Sequence, residues 1–151
     1  FDEVITRCAD PTRPYAWIGD RVMEVYRYLH DRGWAHSVET WNAQGRLVGG
    51  LYGVSVGGFF SGESMFHDPE YGRDASKTAL MRLVCELGPG LLDVQWSTPH
   101  LARLGVIDVD RAEYLALLSD ALERPSPQWT SPDDPAWNGG HLLERLRKMT
   151  N

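Results

Sequence analysis

The amino-acid sequence predicts an α+β fold, with helices packed on a mostly antiparallel sheet. Three observations carry this expectation. Apolar residues recur at helical spacing in Val22, Val25, Tyr26 and Leu29, and again in Leu80, Leu83, Val84 and Leu87. Between these helices, the runs His36 to Trp41, Leu47 to Val56 and Phe59 to Phe66 are rich in β-branched and aromatic residues and read as an antiparallel meander. Finally, Leu91 to Trp96 enters from a helix instead of a tight turn, so it is expected to lie parallel to the third strand.

In chain order, residues from about Glu3 to Ala9 read as a short helix. Asp20 is placed to cap the next one, because its carboxylate can accept from the first unpaired N–H groups, and Gly33 to end it. Turn residues from Asn42 to Gly45 and at Gly57-Gly58 separate the three strands. Within the second strand, Gly49, Gly50 and Gly53 suggest a bulge or a close backbone approach. Asp74 or Ser76 caps the second long helix, and Gly88-Pro89 stops it. Pro99 opens a short turn of helix that Gly105 closes. Asp110, with Glu113 three residues on, starts a helix carrying Tyr114, Leu117, Leu118, Ala121 and Leu122. Beyond it, Pro125, Pro127, Pro132 and Pro135 mark a loop-like segment, and His141 to Met149 recovers a short charged helix.

The 151 residues suit one domain with one core. Residues 1–123 are expected to form its body and 124–151 a Pro-rich extension. A net charge of −6 argues against a broad nucleic-acid footprint, although Arg73, Lys77 and Arg82 cluster at the start of one helix and could form a local basic patch. That cluster equally suits a solvated helix face. Cys8 and Cys85 have no metal-ligand spacing and the five histidines form no zinc motif, so reduced thiols, no metal and no cofactor are expected. No run approaches a membrane span and no signal segment opens the chain, which points to the cytoplasm. A start at Phe1, inside a helix, reads as a fragment or a trimmed form.

Chemistry concentrates in GESMF at 62 to 66 and LLDVQW at 91 to 96. The first puts the carboxylate of Glu63 on an otherwise apolar strand. In the second, strand alternation would turn Asp93 and Gln95 to one face. Burying an unpaired carboxylate costs several kcal/mol, so such groups are kept for a partner or a ligand.

The element order resembles the acyltransferase fold called GNAT-like. Acetyl-CoA enzymes of that fold hold pyrophosphate with a glycine-rich loop. Here that stretch is Arg73-Asp74-Ala75-Ser76-Lys77, without the glycines, which disfavours acetyl-CoA. A more specific set of motifs runs in order along the chain: AWI at 16 to 18, AHSVE at 35 to 39, LVGGLYGV at 47 to 54, GESMF, ASKTAL at 75 to 80, DVQ at 93 to 95 and LG at 104 to 105. By these, the chain resembles the leucyl/phenylalanyl-tRNA-protein transferases to about Trp129.

The resemblance implies transfer of an amino acid of the Leu, Phe or Met class from aminoacyl-tRNA to an amine, the N-terminal Lys or Arg of a protein. It assigns Asp93 and Gln95 to orient the amine and Glu63 to hold the aminoacyl-adenosine end. Carried over in the same way, Leu51, Met65, Leu83 and Leu87 form the side-chain pocket and Trp17 a stacking surface for the terminal adenine. Apolar residues at helical spacing equally suit plain core packing.

Three departures stand out. Leu83 and Leu87 replace residues that are often Phe in the family, which leaves the transferred amino acid open, and Thr98 stands where Asn is frequent. The family's N-terminal domain, which helps hold tRNA, has no counterpart in this sequence. Some relatives pass an amino acid from tRNA to a small molecule in natural-product assembly, which is the alternative acceptor.

Overall fold

The computed structural model describes residues 1–14, 16–129 and 138–149. Its order is α1 (Asp2–Cys8), α2 (Asp20–Asp31), β1 (Ala35–Trp41), β2 (Leu47–Val56), β3 (Phe59–His67), α3 (Ala75–Leu87), β4 (Leu91–Asp93), α4 (Pro99–Ala102), α5 (Arg111–Glu123) and α6 (Gly139–Met149). One sheet runs β1-β2-β3-β4, antiparallel through the meander and parallel between β3 and β4, as expected from the sequence. The expected Pro132 and Pro135 breaks lie outside the described residues. No described helix is long and apolar enough to cross a membrane.

Two cores flank the sheet. Val4, Ile5, Cys8, Ile18, Leu47, Tyr52 and Phe66 form one with α1 and with Val22, Met23 and Tyr26 of α2. On α3's side, Val38, Leu51, Phe60, Ala79, Leu80, Leu83 and Leu87 form the other, with Met65, Leu92 and Trp129 packed against it. Val25, read as part of the buried stripe of α2, instead points to solvent, and Met23 packs in its place.

Several caps differ from expectation. Gly19, with extended backbone, is the N-cap of α2, and Asp20 is its first helical residue, where its charge still complements the helix dipole. Asp74 precedes α3 in a left-handed conformation (φ 63°) and makes no side-chain cap bond, because its carboxylate pairs with Lys77. Two caps form as hydrogen-bonded caps: Thr98 accepts from Leu101 N–H at the start of α4, and Asp110 from Glu113 N–H at the start of α5. Leu142 of α6 is buried, and α6 packs on α3.

The glycines of β2 serve close approach. Gly49 faces Ala75 at the start of α3, and a Cβ on Gly53 would collide with the Ser61 carbonyl and the Phe60 ring. Gly53→Ala is therefore expected to destabilise the protein by about 1–3 kcal/mol, the range for overpacking. Chemical denaturation checks this; an unchanged midpoint would refute it.

Candidate functional site

The site begins where the sheet opens. β3 and β4 pair only at Phe59↔Leu91, Phe60↔Leu92 and Ser61↔Asp93. Just beyond, the β2–β3 register passes from Gly53↔Gly62 to Tyr52↔Ser64, so Glu63 has no partner on β2 and is the extra residue of a bulge. The bulge resets the alternation of β3. Phe60 and Met65, five apart, consequently reach the same core on α3's side. Ser61 and Glu63 share a side, and Ser61 Oγ donates to Glu63 Oε1 at 3.2 Å. Tyr26 of α2 stands close to Glu63; burial first, then the neighbouring carboxylate, push the Tyr26 phenol above its usual pKa.

Asp93 and Gln95 come together by a different route from the one alternation suggests. β4 ends at Asp93, three residues short of the expected Trp96, and Gln95 lies in a turn with φ 66°. A left-handed non-glycine residue costs on the order of 1–2 kcal/mol and needs a local bond to hold it. The Asp93 carboxylate supplies one, its Oδ1 accepting the Gln95 backbone N–H at 2.7 Å, and the Trp96 N–H donates across the turn to the Val94 carbonyl at 2.7 Å. Asp93 Oδ2 accepts the Tyr114 hydroxyl of α5 at 2.8 Å. This bond, above all, raises the Tyr114 phenol pKa, with burial adding to it.

The Gln95 side chain then turns back to β3. Its Nε2 donates to Ser61 Oγ at 3.3 Å and to the Gly62 carbonyl at 3.2 Å. One hydrogen-bonded chain thus runs Tyr114–Asp93–Gln95–Ser61–Glu63, from α5 to β3, with Tyr26 of α2 beside its Glu63 end. It joins all three sequence candidates Glu63, Asp93 and Gln95. Sequence reasoning missed Ser61, although its position two residues before Glu63 on one strand was a usable signal. Tyr26 and Tyr114 read as packing residues of their helices, and nothing local marks their hydroxyls.

A cavity of about 600 Å³ opens beside Asp93 and Gln95, between α3, β4 and the segment leading into α5. Leu80, Val84, Leu92, Trp96, Ile107 and Leu117 give it apolar walls, and Lys77 also lines it. Leu80 and Leu92 belong both to this wall and to the core on α3's side, where Leu51, Met65, Leu83 and Leu87 are packed. Those four expected pocket residues therefore stand behind the cavity wall. Leu51, Leu83 and Leu87 are buried, and Met65 is half-buried. Trp17 lies in the segment before α2, half-exposed, and does not line the cavity.

The three basic candidates separate. Arg73 is fully exposed and 3.9 Å from Asp74, Lys77 pairs with Asp74 on the cavity side, and Arg82 is mostly buried against Glu86 at 2.6 Å. Among the described residues, no group of three or more His, Cys, Asp or Glu is placed to hold a metal ion.

Comparison with known proteins decides the relationship. The family model described as leucyl/phenylalanyl-tRNA protein transferase matches residues 1–119. The chain belongs to this family. A leucyl/phenylalanyl-tRNA–protein transferase of Caulobacter vibrioides (strain NA1000 / CB15N) is 52% identical over 130 residues, covering 83% of this chain and 58% of that protein. One from Rhodopseudomonas palustris (strain TIE-1) is 52% identical over 148 residues, 95% of this chain and 64% of that protein. A third, from Rubrobacter xylanophilus, is 48% identical over 125 residues, 81% of this chain and 63% of the relative. The matches thus span about three-fifths of these transferases' length. The family match stops at residue 119, within α5, so it includes every member of the hydrogen-bonded chain from Ser61 to Tyr114.

Proposed function

We propose that the protein is an aminoacyltransferase that moves an amino acid from aminoacyl-tRNA to the α-amine of an N-terminal Lys or Arg, forming a peptide bond. The observation that carries this reading is the bonded chain through Glu63, Asp93 and Gln95 at the edge of an apolar cavity. Family membership supports it.

In the reaction, the amine nitrogen attacks the ester carbonyl, the C–O bond to the ribose breaks, and the proton lost by the amine ends on the ribose hydroxyl. Because the ester is already activated, positioning and polarisation can supply much of the acceleration. Gln95 is arranged for positioning. Among the described residues its amide nitrogen is engaged twice, while its side-chain carbonyl is left to accept from the incoming amine. Asp93 fixes Gln95, and Glu63 offers its carboxylate to the aminoacyl-adenosine end with Ser61 holding it and Tyr26 beside it. The cavity takes the apolar side chain of the transferred residue, an arrangement typical of small-ligand sites. Leu51, Met65, Leu83 and Leu87 set its shape from behind, Trp17 stacks on the terminal adenine, and Arg73 and Lys77 meet phosphate, with Arg82 shielded by Glu86. Residues 1–123 form the transferase body, 124–151 an extension, and the setting is the cytoplasm, where charged tRNA is found.

The test offers the protein a pool of charged tRNAs with a Lys- or Arg-starting peptide and reads product mass. Peptide lengthened by Leu, Phe or Met is the expected result. Consumption of one aminoacyl-tRNA only when a small amine replaces the peptide would shift the acceptor to a small molecule. No consumption with either would overturn the reading.

A further inference from the structure

Asp93 differs from a free carboxylate base in that the protein itself occupies both of its oxygens. Oδ1 accepts Gln95 N–H at 2.7 Å and Oδ2 accepts Tyr114 Oη–H at 2.8 Å. A hydrogen bond to an ionised acceptor is among the stronger ones available, and two of them on opposite oxygens fix the plane of the carboxylate. Tyr114 is itself well placed to act as a fixed donor. It sits one turn into α5, its backbone N–H bonded to the Asp110 carbonyl at 2.8 Å, in a helix whose first turn is capped by Asp110. At its other end, α5 is tied to the sheet by the Gly58 N–H donating to the Ala121 carbonyl at 2.8 Å. The hydroxyl of Tyr114 is thus held at a set height above the end of β4.

What Asp93 holds is a strained residue. Gln95 has φ 66°, and this conformation swings its side chain back so that Nε2 reaches Ser61 and Gly62 on β3. Were Asp93 to rotate, the Gln95 N–H would lose its acceptor, and only the Trp96 N–H bond to the Val94 carbonyl at 2.7 Å would still span the left-handed turn.

We propose that Tyr114 is a positioning residue for aminoacyl transfer: acting through Asp93, it maintains the left-handed Gln95 that presents its side-chain carbonyl to the acceptor amine. This rests on the function proposed above. Tyr114 also lines the cavity, and because Tyr114→Phe keeps its ring there, the loss of the hydroxyl falls on the placement of Gln95 rather than on substrate binding.

The test compares wild type, Tyr114→Phe, Asp93→Asn and the double variant in the full chain. Tyr114→Phe keeps the ring and removes only the hydroxyl. It is expected to lower kcat by about tenfold, the scale of one hydrogen bond to a charged group, with KM for aminoacyl-tRNA within about twofold of wild type. In the Asp93→Asn background the same substitution is expected to change kcat by less than about twofold, because the group it acts through is already altered. Independently of activity, the backbone amide resonance of Gln95 in a nitrogen–proton NMR spectrum is expected to shift in Tyr114→Phe while amides in α1 and α2 stay in place. A Gln95 amide that does not move overturns the proposal, as does a full tenfold loss in the Asp93→Asn background. If wild type transfers nothing, the proposed function fails on its own, and the Gln95 resonance still decides whether Tyr114 holds that turn.

Discussion

Asp93→Ala is expected to slow aminoacyl transfer by about a hundredfold, the penalty typical of a reacting group displaced by about 1 Å, while the fold survives. The substitution removes the acceptor of two donors at once, the Gln95 N–H and the Tyr114 hydroxyl. Gln95 is exposed and Tyr114 only half-buried, so water can satisfy both donors and little stability is lost. What is lost is the carboxylate that fixes the left-handed Gln95 (φ 66°), which leaves only the Trp96 N–H bond to the Val94 carbonyl across the turn and loosens the tether to Ser61. Single-turnover transfer from charged tRNA to a Lys-starting peptide, read beside a thermal melt, checks this. A wild-type rate would remove Asp93 from the mechanism, and a collapsed melting temperature would make it a structural residue instead.

Phe60→Ala is expected to have the largest effect on stability, about 3–5 kcal/mol, the usual cost of emptying a buried aromatic site. Against a total of about 5–15 kcal/mol for a domain, that approaches unfolding. Phe60 has 0% exposure and joins β3 to the core on α3's side, with the Trp129 ring 5.8 Å away and Gly53 leaving room for its edge. The collapse that could relieve the cavity is restricted, since β2 and β3 are locked in register on either side. Urea denaturation reads the loss, and a change below about 1 kcal/mol would show that Trp129 or Leu92 refills the space. Because Ser61 is the next residue, weakened transfer should accompany the lost stability.

The two long helices, the meander and the parallel return strand were legible because each rests on local periodicity: 3.6 in α2 and α3, and β-branched runs broken by Gly and Asn in the strands. The helix caps were legible only in part. Thr98 was marked merely as a departure from a family pattern, yet it caps α4, whereas Asp20 gave its expected place to Gly19, and Asp74 stands at the N-cap of α3 with its carboxylate paired to Lys77 instead of bonding the helix N–H groups. Side chains that can cap can also pair, and the choice depends on neighbours that are set only when the chain folds.

The same division runs through the site. Glu63, Asp93 and Gln95 could be named from sequence, since polar groups in apolar strands are conspicuous and the ordered motifs tied them to one family. Their arrangement could not. A one-residue bulge at Glu63, the early end of β4 at Asp93 and the left-handed Gln95 bring the three together, and each departs from regular strand alternation. Sequence alone determined the fold class from its periodicities and the family from its ordered motifs, and it named the candidate site residues. Only tertiary structure decided that Ser61 links the two strands, that Tyr114 closes the chain at its α5 end with Tyr26 beside Glu63 at the other, and that Leu51, Leu83 and Leu87 lie behind the cavity wall. Those facts depend on contacts between residues 20 to 50 positions apart, and no local spacing in the chain encodes them.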